Sequence, residues 1–172
     1  MRIDLFQPTD EGEARILLLV EAFSRGMRIL EGRLKLAKLD FFLRYPGYLK
    51  RALVVRGVPE SGIPEVGGAP DLETRMVRYR YGPWDPSYYA ILGRLIGKRL
   101  VLPVPGRRGI GYKISDKGRE IGQGLAQEPA WEEVVKRIEL IRRHLNLQGH
   151  TLKDLIYQHF PEVSRAAWGE PL

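Results

Sequence analysis

Three histidines fall late in the chain, His144, His150 and His159, with Asp154 among them. Imidazole and carboxylate can ligate a transition metal. Intervals of six and nine residues fit no short ligand pattern, however, and no cysteine is present to complete a thiolate site. Helix-surface or helix-end positions are the plainer reading of these histidines. The neighbouring carboxylates Glu132 and Glu133 open a helical segment, where negative charge favours the helix dipole, and they do not read as an acid–base pair. The chain holds no Gly-x-Ser-x-Gly, no Walker-type phosphate loop and no glycine fingerprint opening a helix after a strand. No nucleophile stands at an interpretable spacing from a base. The residues therefore predict no enzyme, no metal and no cofactor.

Arginine is the chemistry that remains. Arg107 and Arg108 sit between Gly106 and Gly109. A glycine-flanked turn lets backbone approach phosphate, and two guanidiniums can pair with phosphate oxygens in bidentate fashion. Arg94, Lys98, Arg99 and Lys113 are expected to line the same face, a candidate surface for nucleic acid or an acidic partner. Lys50, Arg51 and Arg56 form a secondary basic face on another helix. Arg75, Arg78 and Arg80 interleave with Tyr79 and Tyr81, close to Trp84, Tyr88 and Tyr89. Such a cluster can stack on unpaired bases, although core packing with cation–π contacts is the plainer reading.

The chain has 172 residues and a formal charge of +7, from 28 Lys and Arg against 21 Asp and Glu. The excess is concentrated. Residues 33–56 carry seven basic and one acidic side chain, and residues 72–113 carry nine and two. The rest is slightly acidic. A polyanionic partner is one reading of these blocks and a solvated face is the other. The longest aliphatic run, Ile16 to Val20, ends at Glu21, whereas a membrane span needs about 20 residues. Asp4, Asp10, Glu11 and Glu13 stand where a signal peptide would be basic and then apolar. A cytoplasmic protein with no membrane contact is expected.

The elements that must position the arginines follow from periodicity. Thr9 or Asp10 caps a helix that is apolar almost all round, from Ala14 to Phe23. A second helix is expected over Leu30 to Leu43, including Leu34 in its apolar stripe, and a third over Pro46 to Arg56. Residues 57–71 hold four glycines and three prolines and read as a long loop. Met76 to Tyr81 alternates like a strand, with a helical tail from Leu72 as the competing reading, and Gly82-Pro83 turns the chain. Asp85-Pro86 starts a helix to Lys98, with Tyr89, Leu92, Leu95 and Ile96 inward and Tyr88 on another face. Strands at 100–104 and 110–114 flank the Arg107-Arg108 turn, and Pro103 marks the first as an edge. A glycine-weakened helix follows Ser115. A helix from Pro129 and a last one from Thr151, with Thr151 and Asp154 as a capping box, complete the chain. The fold expected is mostly α with a small β-hairpin. Its winged helix-turn-helix-like core spans 1–128, and a C-terminal helical extension, 129–172, packs on it.

The stretch Arg75-Met76-Val77-Arg78-Tyr79-Arg80-Tyr81-Gly82-Pro83-Trp84-Asp85, with Tyr88-Tyr89 after it, resembles the middle components of bacterial three-component ABC-ATPase systems of the Lamassu anti-phage type. Tyr81, Gly82, Pro83, Trp84 and Asp85 are its signature here. Lys38-Leu39-Asp40-Phe41-Phe42-Leu43, Tyr112-Lys113-Ile114-Ser115 and Leu152-Lys153-Asp154-Leu155-Ile156-Tyr157 extend the likeness from about residue 14 to 163. SocA-like antitoxins carry a similar Tyr-Gly-Pro-aromatic element, and the late Lys-Asp-Leu-Ile-Tyr segment makes the combination more specific. The resemblance implies a small non-catalytic subunit of an anti-phage defence complex. It would bridge an SMC- or Rad50-like ATPase that senses DNA and an effector such as a nuclease, which it holds in check. It carries no catalytic residues over. Two alternatives stand beside it: a free-standing DNA-binding regulator using double-stranded DNA, and an antitoxin-like inhibitor of one toxic partner.

Overall fold

The apolar run Ile16–Val20 places its helix at the centre of the molecule. In a computed structural model, which describes residues 6–65 and 76–172, α1 spans Asp10–Phe23. The Thr9 hydroxyl caps it, accepting from the Gly12 N–H at 3.0 Å. Ile16 to Val20, Ala22 and Phe23 are all buried, because α2 (Arg33–Arg44), α4 (Tyr88–Gly97), α5 (Asp116–Gln127) and α6 (Glu132–His144) surround α1. The apolar all-round pattern has this physical cause: no face of α1 meets solvent along its middle.

α2 starts three residues later than its apolar pattern suggests. Leu30 is instead extended and exchanges both backbone hydrogen bonds with Tyr112, each 2.9 Å. Leu34, expected inward, is exposed. α3 (Pro46–Val55) follows at once, with Pro46 at its first turn. The residues of the 57–71 loop described here, up to 65, include a single 3-10 turn at Glu60–Gly62, with Val58 and Ile63 partly buried against the core. The remaining loop residues and Arg75 lie outside the described residues.

Two antiparallel hairpins complete the β structure. β1 (Val77–Tyr79) pairs with β2 (Gly82–Trp84), so Gly82-Pro83 belongs to a strand and not only to a turn. Gly82 has φ +119°, a conformation that favours glycine. β3 (Val101–Gly106) pairs with β4 (Gly109–Ile114) in full register, which leaves only Arg107 and Arg108 in the loop. Pro103 lies on the edge strand β3, and Leu30 adds to the other side of β4. The Ser24 hydroxyl, at the end of α1, accepts from the Ile114 N–H at 2.9 Å and fixes the base of the hairpin.

α5 crosses close to the start of β3. A Cβ on Gly118 would come within 2.0 Å of the Leu100 carbonyl oxygen, so Gly118 permits the close approach as well as weakening the helix. α6, α7 (Gly149–His159) and α8 (Pro161–Arg165) close the core. Ile138, Ile141, Leu152 and Ile156 join the same apolar cluster as α1 and α2. Pro161 opens α8, so it does more than end α7. Thr151 and Asp154 form no capping box, because α7 begins at Gly149 with Gln148 before it. The tail then runs beside β1, where Arg78 N–H donates to Glu170 at 2.8 Å and Gly169 N–H donates to Arg78 at 2.7 Å. Among the described residues no helix is long and apolar enough to cross a membrane.

Candidate nucleic-acid and partner interface

Charges are sorted by depth, and the sorting begins with a buried set. Arg15 (α1) places Nε 2.8 Å from Asp40 Oδ1 (α2), and Arg44 Nη1 lies 3.2 Å from Asp40 Oδ2 and 2.7 Å from Asp85 Oδ2. The Tyr88 hydroxyl donates to Asp40 at 2.6 Å, and Ser87 donates to Asp85 Oδ1 through both its N–H (2.8 Å) and its hydroxyl (2.6 Å). All of these residues are buried. Burial pushes the Asp40 carboxyl up, but the two guanidiniums and the tyrosine hydroxyl outweigh it and hold the group below the ordinary carboxylate range. Burial and the Asp40 charge together push the Tyr88 phenol well up, so it stays a donor. Two cations and two carboxylates balance here. The signature aspartate Asp85 therefore holds the interior together, and Trp84 packs edge-on against Tyr88 at 5.2 Å.

Tyr88, not Tyr89, is the inward residue of α4. It is fully buried, whereas Tyr89 is 59% exposed. The tyrosine hydroxyl that reaches Asp40 sets the rotation of the helix. α4 also begins two residues later than Asp85-Pro86 suggests.

The expected basic surface is only partly open. Arg94 donates to Glu13 Oε1 at 3.2 Å, and Lys98 pairs with Glu13 Oε2. Burial pushes the Glu13 carboxyl up, and the hydrogen bonds from Lys98 and Arg94 outweigh it and lower it. Lys113 donates its ammonium to the carbonyls of Gly26 and Arg28, so it braces the segment before Leu30. Arg99 is exposed at φ +58°, and its carbonyl accepts from Ser115 at 2.7 Å. Arg107 and Arg108 are exposed at the hairpin tip and meet no carboxylate among the described residues.

The secondary basic face is exposed, and each of its cations has a partner within the chain. Arg51 pairs with Glu162, donates to the His159 carbonyl at 3.0 Å and lies over the Phe160 ring at 4.7 Å. Arg56 donates to the His144 carbonyl at 3.2 Å. Lys50 faces Glu60 at 3.9 Å. These cations tie α3 to the C-terminal helices and to its own following loop. The three histidines lie at separate helix ends, and no group of three metal-ligating side chains forms among the described residues.

A second open surface carries rings. Trp168 (66% exposed), Tyr79 (48%), Trp84 and Tyr89 follow one another at centroid spacings of 6.5, 6.0 and 5.9 Å. Arg33 lies over Tyr89 at 4.6 Å, Arg78 lies over Trp168 at 6.0 Å, and Arg80 over Tyr81 at 5.3 Å. Sequence reading noticed most of these residues but missed Arg33 and Trp168, whose membership depends on contacts from distant segments. No protein-family model, curated protein or solved structure matches the chain.

Proposed function

We propose that this chain is a non-catalytic adapter subunit that docks between an SMC- or Rad50-like ABC ATPase and an effector, in an anti-phage complex of the type its signature residues resemble. The observation that carries this reading is the partition of charge. Buried Arg15 and Arg44 pair with Asp40 and Asp85, while the arginines at the hairpin tip and on the ring-bearing surface meet no carboxylate among the described residues. Such open cationic surfaces suit recognition of a partner, and the buried set suits a rigid scaffold. Co-expression with the ATPase and effector of its own locus tests the reading. A stable complex in which this chain contacts both is the expected result. A chain that purifies alone from that co-expression would overturn it.

A second reading has its own support. Leu30, β4 and β3 form a three-membered antiparallel arrangement, and the chain order α1, Leu30, α2, α4, β3, β4 follows that of a winged helix, with α3 and the β1–β2 hairpin inserted before α4. In that reading the Arg107-Arg108 tip contacts the duplex backbone. Arg107→Ala with Arg108→Ala is expected to lower the salt dependence of duplex binding by a slope of roughly 2. An unchanged slope removes the tip from the interface.

A further inference from the structure

We propose that the surface formed by Trp168, Tyr79, Trp84 and Tyr89, with Arg33, Arg78 and Arg80, binds an unpaired nucleic-acid strand. The inference stands apart from the adapter reading and does not depend on it.

The rings form a row contributed by three separate segments. Tyr79 and Trp84 come from the β1–β2 hairpin, Tyr89 from the first turn of α4, and Trp168 from the tail that runs beside β1. Core packing accounts for Tyr88 and for the inner part of Trp84. It does not account for Tyr89 and Trp168, which keep more than half their area in water at the two ends of the row. Their exposure lets a flat ligand lie on them.

Spacing and charge identify the ligand. Consecutive centroids are 5.9 to 6.5 Å apart, well beyond the ~3.4 Å rise of a duplex strand. A stacked duplex cannot place successive bases on such rings, whereas a single strand with splayed bases can. The rings are also tilted against one another, by 34° for Tyr79–Trp84 and 60° for Trp84–Tyr89, so each offers its own platform. Arg33, Arg78 and Arg80 make no ion pair among the described residues. Arg78 donates through Nη1 to the Tyr79 carbonyl at 2.8 Å, and its Nε is buried without a hydrogen-bond partner. The nearby Glu170 carboxylate is engaged by the Ala167 N–H at 2.6 Å. A proline-rich peptide would also use aromatic faces, but three guanidiniums beside the row, with no ion pair among the described residues, complement a phosphate chain.

Fluorescence titration with an oligothymidylate of about ten nucleotides tests the proposal, since Trp84 and Trp168 report occupancy directly. Saturable quenching that weakens with salt is expected, as is poor competition by a duplex of equal length. Trp168→Ala and Tyr89→Ala should each weaken binding by roughly five- to a hundred-fold, whereas Arg107→Ala with Arg108→Ala should leave it unchanged. Melting curves accompany both ring variants. If Trp168→Ala melts early, Tyr89→Ala alone decides. Absence of quenching at low salt, wild-type binding by a well-folded Tyr89→Ala protein, equal displacement by duplex, or saturable binding of a polyproline peptide in place of the oligonucleotide would each overturn the proposal.

Discussion

Arg15 and Arg44 lie at the centre of the molecule, Arg33 and Arg78 at its surface, and both pairs sit beside aromatic side chains. The inner pair meets two carboxylates within 3.4 Å, and a tyrosine hydroxyl donates to one of those carboxylates. The outer pair meets rings and a carbonyl, and no carboxylate among the described residues. The same residue type thus serves two purposes, and the placement of acids decides which. Where Asp40 and Asp85 reach the arginines, desolvation is offset by mutual attraction and the charges become part of the scaffold. Where no acid reaches them, the guanidinium stays available to a ligand.

The contrast breaks most visibly at Asp40. Asp40→Asn keeps the shape and removes the charge, which strands Arg15 in the interior and takes from Arg44 one of its two carboxylates. Leaving buried charges uncompensated costs roughly 3–5 kcal/mol, or a fall of about 6–20 °C in Tm for a chain of this size. The Asp40 carboxyl is depressed in the fold, so its contribution is complete above its unfolded value and disappears as pH falls through the lower folded value. Thermal unfolding of the two proteins should therefore differ by a constant amount above about pH 4 and converge in stronger acid.

Lys38 is an interior exception. It is buried on α2, donates to the Leu34 carbonyl at 3.0 Å and meets no carboxylate among the described residues. Burial and the nearby Lys153 charge lower it to about 8. Lys38→Met is expected to stabilise the protein by roughly 1–3 kcal/mol at pH 7. The folded protein releases this proton more readily than the unfolded chain, so native stability rises from about pH 8 towards the ordinary lysine value of 10.5. The advantage of the variant should fade across that window in denaturant titrations. An advantage that does not change with pH would mean that packing, not charge, is responsible.

Glu13 lies on the boundary between the two behaviours. Glu13→Gln releases Arg94 and Lys98 at a cost of about 1 kcal/mol, since both cations are half-exposed and screened. If α4 faces a duplex, its two freed charges steepen the salt dependence of binding by up to about 2. An unchanged slope would separate α4 from the Arg107-Arg108 tip. The tip itself should be the least costly to change: Arg107→Ala with Arg108→Ala should alter stability by no more than about 0.5 kcal/mol.

Much of the scaffold was legible from local pattern. The α1 run, the Pro46 helix start, the glycine-flanked hairpin turn and edge Pro103 all depend on neighbours in sequence, and each sits where those neighbours place it. What was not legible depends on distant partners. Whether Tyr88 or Tyr89 turns inward is decided by Asp40, far back on α2. Leu30 leaves its helix because Tyr112 supplies the matching backbone groups. The cations of Arg51 and Arg56 gain partners because Glu162 and the carbonyls of His159 and His144 arrive from the C-terminal helices. Lys113 reads as a wing cation until its carbonyl partners before Leu30 are known. Charge runs were readable in the sequence, whereas the acids that cancel them come from elsewhere.

The most direct measurement uses one variant, with Arg33, Arg78, Arg80, Arg107 and Arg108 all changed to Gln, and reads two properties from the same preparation. These are its thermal unfolding and its retention by the co-expressed ATPase and effector. If exterior arginines recognise and interior charges support, the variant melts within a few degrees of the native chain and is no longer retained. Full retention by the complex, or collapse of the fold, would contradict the account.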